Sequence, residues 1–117
     1  RDAVSSNRNR KMISRALAYI DENYMNESLS LNTVAAEVEV SANYLSAVFS
    51  QSMKKTFVEY VTEKRMEKAK KLLKTTSLSS GEIAAEVGYK DSHYFSFVFK
   101  KTQGVSPRDY RASKKED

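Results

Sequence analysis

The chain has 117 residues, suiting one compact domain or two very small ones, and its 40% hydrophobic content allows a core without staples. It has no cysteine, which excludes a disulfide scaffold, a zinc-thiolate site and a thiol nucleophile. With no Trp, one Pro and three Gly the composition favours helices, and the net charge of +5 suits an anionic partner.

Residues 1–10, RDAVSSNRNR, are polar and show no hydrophobic period, so a linker or frayed end is expected there. From Lys11 to Tyr24 the apolar residues Ile13, Leu17, Ile20 and Tyr24, with Ala16 beside them, recur in steps of four, three and four, one stripe of a helix. A polar turn over Asn23–Ser30 leads to a short helix, with Leu31, Val34, Ala35 and Val38 inward. Ser41 is a good N-cap for a helix whose apolar stripe is expected to be Tyr44, Leu45, Val48 and Phe49. A longer helix over Phe57–Leu73 offers Tyr60, Val61, Met66, Ala69, Leu72 and Leu73 to the core. Ser79–Val87 is short again, and Asp91 caps a helix carrying Tyr94, Phe95, Val98 and Phe99. Gly104 ends it, and Ser106-Pro107 opens a last helix through Tyr110, since Pro loses nothing in a first helical turn. The charged tail 113–117 is expected to be loose. No strand pattern of useful length appears, so the predicted fold is all-α.

An internal repeat organises these elements. Val34-Ala35-Ala36-Glu37-Val38 answers to Ile83-Ala84-Ala85-Glu86-Val87 at an offset of 49. Beyond the turn the offset becomes 50, pairing Tyr44 with Tyr94, Phe49 with Phe99, Lys54 with Gly104, Thr56 with Ser106 and Tyr60 with Tyr110. One residue has been added inside the turn, which a helix–turn–helix tolerates. The expected organisation is a first subdomain over 11–56, a linker helix over 57–74 and a second subdomain over 75–112. The basic surplus sits in the second half of the chain. Residues 1–58 hold seven Lys/Arg against six Asp/Glu, and residues 59–117 hold 13 against nine.

Each repeat has the grammar of a helix–turn–helix, in which the second helix fits the DNA major groove and its early residues meet base edges. With the apolar stripes turned inward, the first such helix displays Ala42, Asn43, Ser46, Ala47 and Ser50, after the turn Glu39-Val40. The second displays Ser92, His93, Ser96, Phe97 and Lys100, after Gly88-Tyr89-Lys90. Lys90 and Lys101 flank it as phosphate-contact candidates.

The stretch from Ile83 to Ser96, continuing through Phe99-Lys100-Lys101, Gly104, Ser106-Pro107 and Tyr110-Arg111, resembles the signature of AraC/XylS-type transcription regulators. Leu29 to Leu73, including Arg65-Met66 and Ala69, is similar to that family's first helix–turn–helix and linker helix. The resemblance covers roughly residues 12–111. It implies a seven-helix domain whose two recognition helices enter successive major grooves of double-stranded DNA, about 34 Å apart. It further implies the DNA-binding part of a bacterial transcription regulator, an activator that contacts RNA polymerase. With no Cys and a single His, no cofactor or metal is expected. Because the chain opens at Arg1 without Met, a sensor or receiver domain is expected to precede it. The second repeat's likeness to two-component response regulators points the same way.

The sequence departs from the family pattern at several positions. Where members often carry Arg on the recognition helices this chain has Ala47 and Phe97, which suit thymine methyl groups rather than guanine, so A·T-rich steps are expected. Glu39 and Lys54 stand where the second repeat has Gly88 and Gly104. Positive φ is uncomfortable without Gly, so the first subdomain's turns are expected to differ. Arg65 is expected to brace the linker helix. Lys64, Lys68, Lys70, Lys71 and Lys74 read mainly as a solvated face paired with Glu63 and Glu67.

Two other classes fit the composition less well. A helical protein-interaction module would show modest salt dependence and an exposed apolar patch. An enzyme would need groups that are missing: there is one His and no Cys, with no phosphate loop and no evident carboxylate pair. No apolar run approaches the roughly 20 residues of a membrane span, and no signal-peptide pattern appears. The expected location is cytoplasmic, with no membrane partner.

Overall fold

The computed structural model describes the backbone of residues 3–113 and the side chains of residues 7–113. Among the described residues the architecture is all-α. In chain order the seven helices are α1 (Ala3–Asn23), α2 (Leu31–Glu37), α3 (Ala42–Met53), α4 (Phe57–Thr75), α5 (Ser80–Val87), α6 (Ser92–Gln103) and α7 (Pro107–Ala112). They fall into two compact units, residues 1–62 and 63–117, with the boundary inside α4.

Local chemistry sets the helix boundaries. Ser30 and Thr33 cap α2 reciprocally: each hydroxyl accepts the other's backbone N–H, at 3.1 and 3.0 Å. Ser79 with Glu82, and Thr56 with Glu59, do the same for α5 and α4. Each box satisfies two of the donors a helix start leaves open. Ser41 caps α3, Asp91 caps α6, and Ser106 caps α7 with Pro107 in its first turn.

The core of the first unit gathers Met12, Ile13, Ala16 and Ile20 of α1, Val34 and Ala35 of α2, Leu45, Val48 and Phe49 of α3, and Phe57 and Val61 of α4. Phe49 meets Phe57 and Tyr60 edge to face, with centroids 6.0 and 5.6 Å apart. The second unit's core holds Met66, Ala69 and Leu73 of α4, Ile83, Ala84 and Val87 of α5, and Phe95 and Phe99 of α6. Phe99 meets Tyr110 edge to face at 5.8 Å, as its counterpart Phe49 meets Tyr60. The duplication therefore extends to ring geometry, each such pair adding roughly 0.5–1.5 kcal/mol beyond its burial.

Three sequence expectations are corrected here. Ala3–Arg10, expected to be a linker or frayed end, continue α1 as helix. The segment has no Gly or Pro to stop a helix propagating back from Lys11, and Asn9 Oδ1 accepts the Tyr44 hydroxyl at 2.7 Å. At the other end Ser113, expected to be loose, is held by Lys74, whose Nζ donates to its carbonyl at 2.7 Å and its hydroxyl at 3.1 Å. Residues 114–117 of that tail lie outside the described residues. Third, the first unit's turns keep the left-handed backbone, with Glu39 at φ 64° and Lys54 at φ 62°, against 109° for Gly88 and 88° for Gly104. The hydrogen bonding explains it. Val40 N–H closes on the Ala35 carbonyl at 3.0 Å, as Tyr89 N–H closes on Ala84 at 2.8 Å. The closure satisfies end carbonyls and outweighs the roughly 1–2 kcal/mol cost of a non-glycine there.

Arg65 braces α4 within the second unit. It is buried at 9% exposure, with its guanidinium 5.1 Å from the Tyr89 ring centroid and packed against Gly88. The α4 lysines divide in role. Lys70 pairs with Glu67 at 3.2 Å, while Lys74 is committed to Ser113.

Candidate nucleic-acid interface

Both candidate recognition helices sit on a buried stripe. In α3 this is Leu45, Val48 and Phe49; in α6 it is Phe95 and Phe99, with Val98 half-buried. That leaves Asn43 and Ala47 exposed on α3, with Ala42, Ser46 and Ser50 half-buried beside them. On α6, His93, Phe97 and Lys100 are exposed, and Ser92 and Ser96 are half-buried. Lys90 and Lys101 are exposed at the two ends of this face. Within each unit, then, the residues singled out from sequence share one helix face.

Tyr44 and Tyr94 were expected inside and are not: they are 45% and 55% exposed. Each stands one 100° step before the buried Leu45 or Phe95, at the margin of the stripe. Leu45-Val48-Phe49 already completes an i, i+3, i+4 stripe without Tyr44, and this was the available signal. Each tyrosine therefore belongs to the outward face, beside Asn43 or His93.

The two tyrosines have different partners. Tyr44 donates its hydroxyl to Asn9 of α1. The Tyr94 ring packs at 6.0 Å on Tyr89 and 6.3 Å on Phe97, and Lys101 Nζ lies 5.8 Å from the Phe97 centroid. The outward face of α6 is thus an aromatic surface edged by cations, whereas that of α3 carries one aromatic ring, Tyr44, among small residues.

The first turns of both helices are fixed by capping. Ser41 Oγ accepts the Tyr44 N–H at 3.1 Å, and Asp91 Oδ1 accepts the His93 and Tyr94 N–H groups at 2.9 and 3.4 Å. The first turn is where a groove-inserted helix meets base edges, so these caps orient Asn43 and His93. Among the described residues no group of three or more His, Asp or Glu is placed to hold a metal ion. Among the same residues no helix is long and apolar enough to cross a membrane.

A family model for a helix-turn-helix domain matches residues 34–113. The C-terminal domain of the response regulator AraT from Geobacillus stearothermophilus is 42% identical, with a TM-score of 0.86 over 91% of this chain and 88% of that one. The C-terminal domain of the two-component response regulator yesN from Fusobacterium nucleatum is 38% identical, with a TM-score of 0.81 over 82% of this chain and 93% of that one. The melibiose operon regulatory protein of Escherichia coli is 36% identical over 85% of this chain but only 32% of its own length. A Pseudoalteromonas carrageenovora HTH-type regulator is 38% identical over 88% of this chain and 60% of its own length. The chain therefore spans about a third to three-fifths of these two relatives. The AdpA DNA-binding domain, solved with a target DNA, shares the fold at a TM-score of 0.79 and 23% identity. With its duplicated hairpins, its matched core and these likenesses, the chain belongs to the AraC-type helix-turn-helix family.

Proposed function

We propose that this chain is the DNA-binding part of a bacterial transcription regulator, reading double-stranded DNA with α3 and α6 in successive major grooves. The observation that carries the reading is the paired outward face: Asn43, Tyr44 and Ala47 on one capped helix, and His93, Tyr94 and Phe97 on its repeat counterpart. A helix in the major groove presents its early residues to base edges, and both helices leave these residues uncovered. Ala47 and Phe97 offer apolar contact to thymine methyl groups. Ser46, Asn43, Ser96 and His93 supply hydrogen-bonding groups, while Ala42, Ser50 and Ser92 line the edges. Lys90, Lys100 and Lys101 hold phosphates. Phosphate contacts fix register and base contacts select sequence.

The likeness to response-regulator C-terminal domains supports a receiver domain preceding this chain in the whole protein. The melibiose and arabinose operon regulators among its relatives support a role in controlling transcription. Activation through RNA polymerase, in the cytoplasm, is the form we propose. Selecting duplexes from a random pool, then footprinting the chain on the winners, tests the reading. Two protected segments about ten base pairs apart are expected. One segment would overturn the double reader, and none would overturn DNA reading altogether.

A further inference from the structure

We infer that the N-terminal turns of α1 form a phosphate-binding flank for the first reader, in which Arg8, Arg10 and the Asn9 amide contact the DNA backbone. This rests on the double-stranded DNA reading above and adds a site outside the stretch that carries the family resemblance.

The need arises from charge. From Ala16 to Met53 there is no Lys or Arg, while Asp21, Glu22, Glu27, Glu37 and Glu39 are acidic. The whole first helix–turn–helix thus carries no cation, whereas the second has Lys90, Lys100 and Lys101 in its turn and recognition helix. Backbone contacts supply much of the affinity of a DNA reader, and apart from Lys54 and Lys55 just past the end of α3 the first reader's cations come from neighbouring elements.

Geometry identifies that element. Asn9 Oδ1 accepts the Tyr44 hydroxyl at 2.7 Å, and Tyr44 stands exposed in the first turn of α3. Two turns further along α1, Arg15 Nη2 donates to the Glu37 carbonyl at the end of α2, at 2.9 Å. The start of α1 therefore borders the α3 reading face. Successive helical residues are 100° apart, so Arg8 and Arg10 flank Asn9 on either side, and both are exposed. Residues 3–11 hold Arg8, Arg10 and Lys11 and no acid. With its oxygen occupied by Tyr44, Asn9 keeps its amide N–H donors for an acceptor, and a phosphodiester offers only acceptors. The Tyr44 hydroxyl has given its proton to Asn9, so it acts as the tether and the flank makes the phosphate contacts.

The test uses the full chain on a duplex it selects, titrated across salt concentration. Arg8→Ala/Arg10→Ala should flatten the salt slope by about two units. It should also expose the phosphates beside the segment read by α3, with base preferences unchanged in both segments. Tyr44→Phe, which loses the tether but no charge, should weaken the same phosphate protection. Arg8→Lys/Arg10→Lys should keep the parental slope to within about half a unit. Parental slope and protection in the alanine pair would overturn the inference, as would equal loss in the lysine pair, which would mark a structural role. A parent chain that binds no duplex overturns the underlying reading, and that failure is visible before any variant is made.

Discussion

The guanidinium of Arg65 occupies the space a side chain at Gly88 would need. A Cβ on Gly88 would stand 2.9 Å from Arg65 Cζ and Nε, and the backbone there has φ 109°. Gly104 also has positive φ, 88°, but nothing lies within 4 Å of its Cβ position.

The two glycines therefore separate strain from crowding. Gly104→Ala should cost about 1 kcal/mol, the left-handed penalty alone. Gly88→Ala adds displacement of a buried arginine from the Tyr89 ring and should cost roughly 2–4 kcal/mol. Urea unfolding of the two variants measures the difference, and equal losses would mean that Arg65 moves aside freely.

In the first unit the same backbone is held by residues ill suited to it. Glu39→Gly and Lys54→Gly relieve left-handed strain at φ 64° and 62°. Each should stabilise by roughly 0.5–1 kcal/mol after the entropy glycine adds to the unfolded chain. Thermal melts showing a fall in Tm for both would contradict this.

Much of the architecture was legible because duplication repeats its signals. Helix starts were readable from Ser41 and Asp91, whose side chains make the capping bonds their residue types favour, and from Ser106-Pro107. The buried stripes were readable from periodicity, except at their margins, where Tyr44 and Tyr94 turn outward. Those two were misplaced because an aromatic ring at a stripe edge satisfies the helical period whether it faces in or out. The start of α1 was hidden for another reason. Its residues are polar, and one long-range hydrogen bond from Tyr44, 35 positions away, meets Asn9 there. The left-handed Glu39 and Lys54 were also illegible, because the hydrogen bonds that hold them belong to the turn rather than to either residue type.

Arg111 joins α7 to the end of α4. Its Nε donates to the Leu73 carbonyl and its Nη2 to the Thr76 carbonyl, both at 2.9 Å, where α4 leaves carbonyls without helical partners. Arg111→Ala should destabilise the second unit by about 2 kcal/mol. Arg111→Lys should recover less than half of that, since an ammonium cannot span both acceptors in the guanidinium's fixed fork. Full recovery by lysine, read in the same unfolding experiment, would show that charge rather than geometry holds α7.

The most direct test of the two-reader account is a change of specificity at each helix in turn. Ala47→Arg and Phe97→Arg each place a bidentate guanine reader on one outward face. Duplex selection with the two variants should give a new guanine preference at one position each, in different protected segments about ten base pairs apart, while the other segment keeps its parental sequence. Preferences that stay parental in both variants, or that shift within one shared segment, would contradict the account.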